Sequence, residues 1–123
     1  MVVRPLVSIV DDDEPVRESL PDLVREFGFS VRAFSSAEEF LASDSVHQTQ
    51  CLVLDVAMPG MSGLDLQQEL KLRRQDIPIV FITAHGDETL RPRMLAAGAV
   101  ECLLKPFSDA AVRKAIHTAL RID

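Results

Sequence analysis

Residues 7–15 read VSIVDDDEP. Four residues of strand stock run straight into three aspartates and a glutamate. Adjacent carboxylates repel: unit charges about 4 Å apart cost roughly 4 kcal/mol at an effective dielectric near 20. Either Asp11, Asp12 and Asp13 face water, or something positive holds them together.

Working outward, the same kind of apolar run recurs. Strands are expected at 6–10, 31–34, 51–55, 79–83 and 100–104, short and mostly continuous, as for strands buried on both faces. Helical spacing lies between them. Val16, Leu20, Leu23, Val24 and Phe27 make one face, and Val112, Ala115, Ile116, Ala119 and Leu120 another. Leu90, Met94 and Ala97 share a third. Ser36 with Glu39, and Ser62 with Asp65, fit capping boxes ahead of apolar runs. Residues 43–50, SDSVHQTQ, read as a polar loop. Strand–helix alternation of this kind argues for a doubly wound α/β fold, a parallel sheet with helices on both faces. Two prolines strain the pattern. Pro21 predicts a kink near residues 17–20, and Pro92 predicts a late start to the fourth helix, with the proline in its first turn.

The chain has 123 residues, 47% of them apolar, enough for one sizeable core. Its net charge of −6 argues against a general nucleic-acid surface. No run of about 18 apolar residues predicts a membrane span. The start, MVVRPL, lacks the apolar stretch and cleavage site of a signal peptide. Cys51 and Cys102 both fall in expected strands, which suits reduced, buried thiols in a cytoplasmic protein.

In open parallel sheets, ligands bind beyond the carboxyl ends of the strands. Asp11 and Asp12 end the first strand, Asp55 the third and Thr83 the fourth, and Lys105 follows the fifth. Four strands thus deliver polar groups to one edge. Two or three carboxylates suit a hard divalent cation, which resolves the repulsion of the opening run. Lysine and threonine suit phosphate oxygens, and an aspartate can serve as a covalent phosphate acceptor.

Plainer readings exist for each residue. Asp13 reads as a helix cap more than a ligand. Thr83 alone is an ordinary β-branched strand residue, and Lys105 alone a surface lysine. His47, His85 and His117 lack ligand spacing. Met58 and Met61 read as packing. Pro59–Gly60 favours a bend, and Gly63 allows close packing.

The segments IVDDDEP, LVLDVAMPGMSGLDL, FITAHGD and AAGAVECLLKPF, in this order and spacing, resemble the receiver domain of bacterial two-component response regulators over residues 6–120. MPGMSGLDL, TAHGD and KPFSD are similar to the FixJ-like transcriptional regulators. The resemblance implies a flavodoxin-like (CheY-like) fold of five strands in the order 2-1-3-4-5 with five helices, as a single receiver domain over 1–123. The resemblance leaves open a complete single-domain regulator or a fragment whose effector domain lies beyond residue 123. It implies that a sensor histidine kinase donates a phosphoryl group to Asp55, with slow self-dephosphorylation and no enzyme activity of its own. Mg2+ (or Mn2+) would be ligated by Asp12, Asp55 and the carbonyl of Ala57, with Asp11 acting largely through water. Thr83 and Lys105 would contact the phosphoryl oxygens. The Lys105–Pro106 bond is often cis in the family. In that strand order Cys51 and Cys102 lie about 9–10 Å apart, too far for a disulfide.

The resemblance also implies a cytoplasmic protein that regulates transcription, leaves a homodimer on phosphorylation open, and includes no direct nucleic-acid binding by this chain. Two positions depart from the pattern. Cys102 stands where the family has Tyr or Phe, so a rotating ring cannot carry the signal. Pro92 lies in the fourth helix, part of a surface many members use to dimerise. His85, two residues after Thr83, is placed to border the pocket.

Three rival functions share parts of this pattern. Asp11-x-Asp13 after a strand also resembles haloacid-dehalogenase-type Mg2+ phosphohydrolases, although Pro15 breaks that signature. A flavin module would need a Ser/Thr/Gly-rich first loop where this one is acidic. A receiver that binds its partner without phosphorylation keeps all the site residues.

Overall fold

A computed structural model describes residues 4–84 and 88–122; His85, and with it the expectation that it borders the pocket, lies outside the described residues. Five strands form one sheet: β1 (Leu6–Val10), β2 (Ser30–Phe34), β3 (Cys51–Asp55), β4 (Ile79–Thr83) and β5 (Glu101–Leu104). Their order is β2-β1-β3-β4-β5, and every neighbouring pair is parallel. Five α-helices connect and follow them: α1 (Glu14–Glu26), α2 (Ala37–Leu41), α3 (Gly63–Leu72), α4 (Arg91–Ala96) and α5 (Asp109–Leu120).

Strand side chains alternate between two cores. Val7, Ile9, Cys51, Val53, Val80 and Ile82 pack with Leu20 and Val24 of α1 and Val112 and Ile116 of α5. Val10, Leu52, Leu54 and Phe81 pack with Phe40, Leu66, Leu70 and Met94 on the opposite face. β3 and β4 are buried along their whole length, which is why they read as unbroken apolar runs.

The two edge strands each start one residue away from the expected position. β2 begins one residue early, at Ser30, whose N–H donates to the Pro5 carbonyl at 3.0 Å. β5 begins one residue late, although Val100 N–H still donates to the Ile79 carbonyl at 2.8 Å. α1 runs unbroken through a buried Pro21. As Pro92 predicts, α4 starts late with the proline in its first turn, after a short 3-10 helix at Glu88–Leu90.

The stretch read as a polar loop contains a 3-10 helix, Asp44–His47, with Ser43 as its cap. Thr49 Oγ1 donates to the Ser45 carbonyl and lies 2.6 Å from Ser8 Oγ in a buried contact. Ser62 and Asp65 form a full reciprocal capping box on α3. Ser36 caps α2, but the box there is half made, because the Glu39 carboxylate accepts from Ser35 instead.

Cys51 is buried, and burial pushes its thiol up to about 12. Cys102 is only partly buried, contrary to expectation, because β5 is an edge strand. The two are free thiols, with β4 between them. Register through Phe81 sets Cys102 level with Leu54, three residues along β3 from Cys51, which adds about 10 Å along the strands.

Candidate functional site

The ends of β1, β3, β4 and β5 bring Asp11, Asp12, Asp55, Thr83 and Lys105 to one edge, as their positions after apolar runs predict. Asp11, Asp55 and Thr83 are buried and Asp12 is exposed. One carboxyl oxygen from each of Asp11, Asp12 and Asp55 lies within 4.8 Å of the others. Lys105 Nζ sits 3.1 Å from Asp11 Oδ2 and 3.8 Å from Asp55 Oδ1.

Asp11 is held from several sides. Its N–H donates to the Phe34 carbonyl at 3.1 Å, and its Oδ1 accepts from the Asp13 N–H at 2.8 Å. Its Oδ2 is buried with no hydrogen bond and faces the Lys105 ammonium as an ion pair. A buried carboxylate oxygen that faces one ammonium and accepts no hydrogen bond still has lone pairs to offer, and a cation suits it. Three convergent carboxylates are also the donor set a hard, oxygen-loving divalent ion takes.

Asp55 carries the electrostatic consequence. Burial first, and the Asp11 charge next, push its carboxyl up to about 7 against the opposing pull of Lys105. Burial works to lower the Lys105 pKa, but Asp55 and Asp11 outweigh it and hold the ammonium above its usual range. The backbone that carries Asp55 is packed against the start of α3. A Cβ at Gly63 would fall 2.2 Å from the Asp55 carbonyl oxygen, so only glycine fits. The Gly63 N–H donates to the Val56 carbonyl at 2.9 Å.

Ala57 follows two residues after Asp55 and its side chain is exposed. Asp13 occupies the N-cap position of α1, but its side chain makes no cap bond. The next position but one is Pro15, which has no N–H, and Val16 N–H donates to Asp13's own carbonyl at 3.1 Å. Cys102 stands beside Thr83: burial pushes its thiol up, while the Thr83 side chain works the other way.

Two contacts escaped the sequence. Arg17 Nη1 donates to the Asp11 carbonyl at 2.8 Å. Glu38 Oε2 accepts from the Met61 N–H at 3.3 Å, tying α2 to the loop that follows Asp55. Both join a side chain to a main-chain atom, and neither follows a spacing rule.

The family described as "Response regulator receiver domain" matches residues 7–117. Response regulator protein TodT of Pseudomonas putida is 45% identical over 117 residues, covering 95% of this chain and 52% of its own. Transcriptional regulatory protein FixJ of Rhizobium meliloti is 42% identical over 113 residues, covering 92% of this chain and 55% of its own. The crystal structure of FixJ-N superposes with a TM-score of 0.87 at 39% identity, covering 98% of this chain and 96% of that one. The chain spans about half the length of the curated relatives it matches. The phosphohydrolase, flavin and phosphorylation-independent alternatives are not favoured by these relatives. With fold, carboxyl-end acidic pocket and relatives in agreement, this chain belongs to the response regulator receiver domain family of two-component signalling.

Proposed function

We propose that Asp55 accepts a phosphoryl group, that Asp11, Asp12, Asp55 and the Ala57 carbonyl hold Mg2+ (or Mn2+), and that Thr83 and Lys105 hold the phosphoryl oxygens. One observation carries this reading: three carboxylates converge within 4.8 Å around a buried Asp11 oxygen that has no hydrogen bond. Bound there, the ion supplies positive charge that offsets the carboxylates and admits a phosphate oxygen.

Receiver domains of response regulators interact with sensor histidine kinases, and the donor is taken to be a kinase phosphohistidine. An Asp55 carboxylate oxygen attacks phosphorus. The O–P bond forms as the P–N bond breaks, and that electron pair stays on the histidine nitrogen. Lys105, within reach of both Asp11 and Asp55, offsets charge as the phosphoryl group arrives. Thr83, buried at the end of β4, offers a hydroxyl donor. The aspartyl phosphate adds about 1.5–2 negative charges, enough to bias nearby loops and helices. It is then lost slowly to water.

The same proposal takes residues 1–123 as one receiver domain of a longer cytoplasmic protein. That protein regulates transcription through an effector domain outside this chain, an assignment supported by likeness to a protein named a transcriptional regulator. A homodimer on phosphorylation, with no nucleic-acid contact by this chain, completes it.

Intact mass after acetyl phosphate and Mg2+ tests the reading. The native chain gains roughly 80 Da and Asp55→Asn gains nothing. Equal uptake by both chains, or none by either, refutes it.

A further inference from the structure

Arg17 lies one turn into α1. Its partly buried guanidinium donates from Nη1 to the main-chain carbonyl of Asp11 at 2.8 Å. The Asp11 N–H and Oδ1 are already bonded, to the Phe34 carbonyl and the Asp13 N–H. With Arg17 on the carbonyl, three of the four polar atoms of Asp11 are tied down. The fourth, Oδ2, is the buried oxygen with no hydrogen bond. A residue pinned this way holds its Oδ2 in one direction, toward the Lys105 ammonium and the other carboxylates.

The placement runs against the helix dipole, which favours anions near a helix N-terminus by about 0.3–1 kcal/mol. Among the described residues Arg17 forms no ion pair that would offset this. What the guanidinium gains there is the Asp11 carbonyl.

We infer that Arg17 is a positioning residue, tying the Asp11 carbonyl so that the turn between β1 and α1 aims the Asp11 and Asp12 oxygens at a common focus with Asp55. The inference rests on the metal-binding reading above. Two effects of opposite sign separate it from a simple charge effect. As a bare positive charge, Arg17 repels a divalent cation, and its removal tightens binding. As a tether, it orders the turn, and its removal weakens binding.

The test uses the whole chain with Arg17→Met, which keeps the aliphatic stem, and Arg17→Lys, which keeps the charge. Mg2+ affinity is measured by calorimetry, and amide hydrogen exchange of Asp13 is measured in the metal-free protein beside the exchange of β3. Arg17→Met is expected to weaken Mg2+ binding about tenfold, as loss of a group that orients ligands does. Asp13 exchange is expected to speed up while β3 stays protected, the mark of a local opening. Arg17→Lys falls between. Should Arg17→Met not fold, Arg17→Gln takes its place. Equal or tighter Mg2+ binding overturns the inference, and so does an Asp13 amide no faster than in the parent. A parent that binds no Mg2+ overturns the metal-binding reading instead, and the Asp13 amide still decides whether Arg17 is a tether.

Discussion

Lys105 Nζ lies 3.1 Å from Asp11 Oδ2, yet that buried oxygen has no hydrogen bond. The lysine balances the pocket's charge without filling its bonding, so the acids still have an oxygen to offer a ligand. Lys105→Met should therefore destabilise the metal-free chain. Removing one partner of a buried pair costs about 3–5 kcal/mol; with the Lys105 side chain 23% exposed, roughly 1–2 kcal/mol is expected. Urea melts with and without Mg2+ check it, and the ion should restore most of the loss.

Asp55 yields a pH prediction with a definite sign. Its carboxyl is raised to about 7 in the fold, chiefly by burial and then by Asp11, from about 3.9 in an unfolded chain. The protonated form is the one the fold favours. Its stabilising contribution is complete below about pH 4 and is lost as pH rises through 7. In metal-free protein, Asp55→Asn should raise stability at pH 8 by roughly 1–3 kcal/mol and leave it unchanged near pH 4. Denaturant midpoints at the two pH values measure the difference.

Mg2+ bound as proposed would compete with that proton. Its affinity should fall as pH drops below about 7, with proton release on binding near neutrality. Calorimetry in two buffers of different ionisation enthalpy counts the released protons.

Mg2+ with beryllofluoride should raise the melting temperature of the native chain. At about 100 times the dissociation constant, a ligand contributes about 2.7 kcal/mol, or roughly 10 °C for a domain of this size. Asp55→Asn should show little of this rise, and chelation should abolish it.

Gly63→Ala tests the seat of Asp55. The new methyl would lie 2.2 Å from the Asp55 carbonyl oxygen, a main-chain atom with little freedom to move. Overpacking of this kind costs about 1–3 kcal/mol. Phosphoryl uptake should fall further than the stability loss alone accounts for, read as mass gain at a temperature where the variant is folded.

The parts of the fold that read clearly from sequence are those buried on both faces. β1, β3 and β4 match residue for residue, because each is flanked by strands and packed between helix layers. β2 and β5 are the edges, and each is off by one residue at its start. Ser30 is exposed and Val100 bonds without continuing the ladder, so neither end carries a sharp hydrophobic boundary. Asp11, Asp12, Asp55, Thr83 and Lys105 were legible because each stands where an apolar run stops. Arg17 and Glu38 were not, since their partners are main-chain atoms, which every residue has. The helix at Asp44–His47 was hidden in polar residues whose hydroxyls bond inward to one another and to the backbone.

The edge position of β5 has a consequence for range. Thr83 is paired in register with Leu104, an apolar side chain 42% open to solvent, and the Lys105 N–H holds the Thr83 carbonyl at 2.8 Å. Thr83 and the molecule's outer wall are therefore a single strand spacing apart, about 4.8 Å. A tug on Thr83 reaches open water after one rung of the ladder, with no lever arm in between.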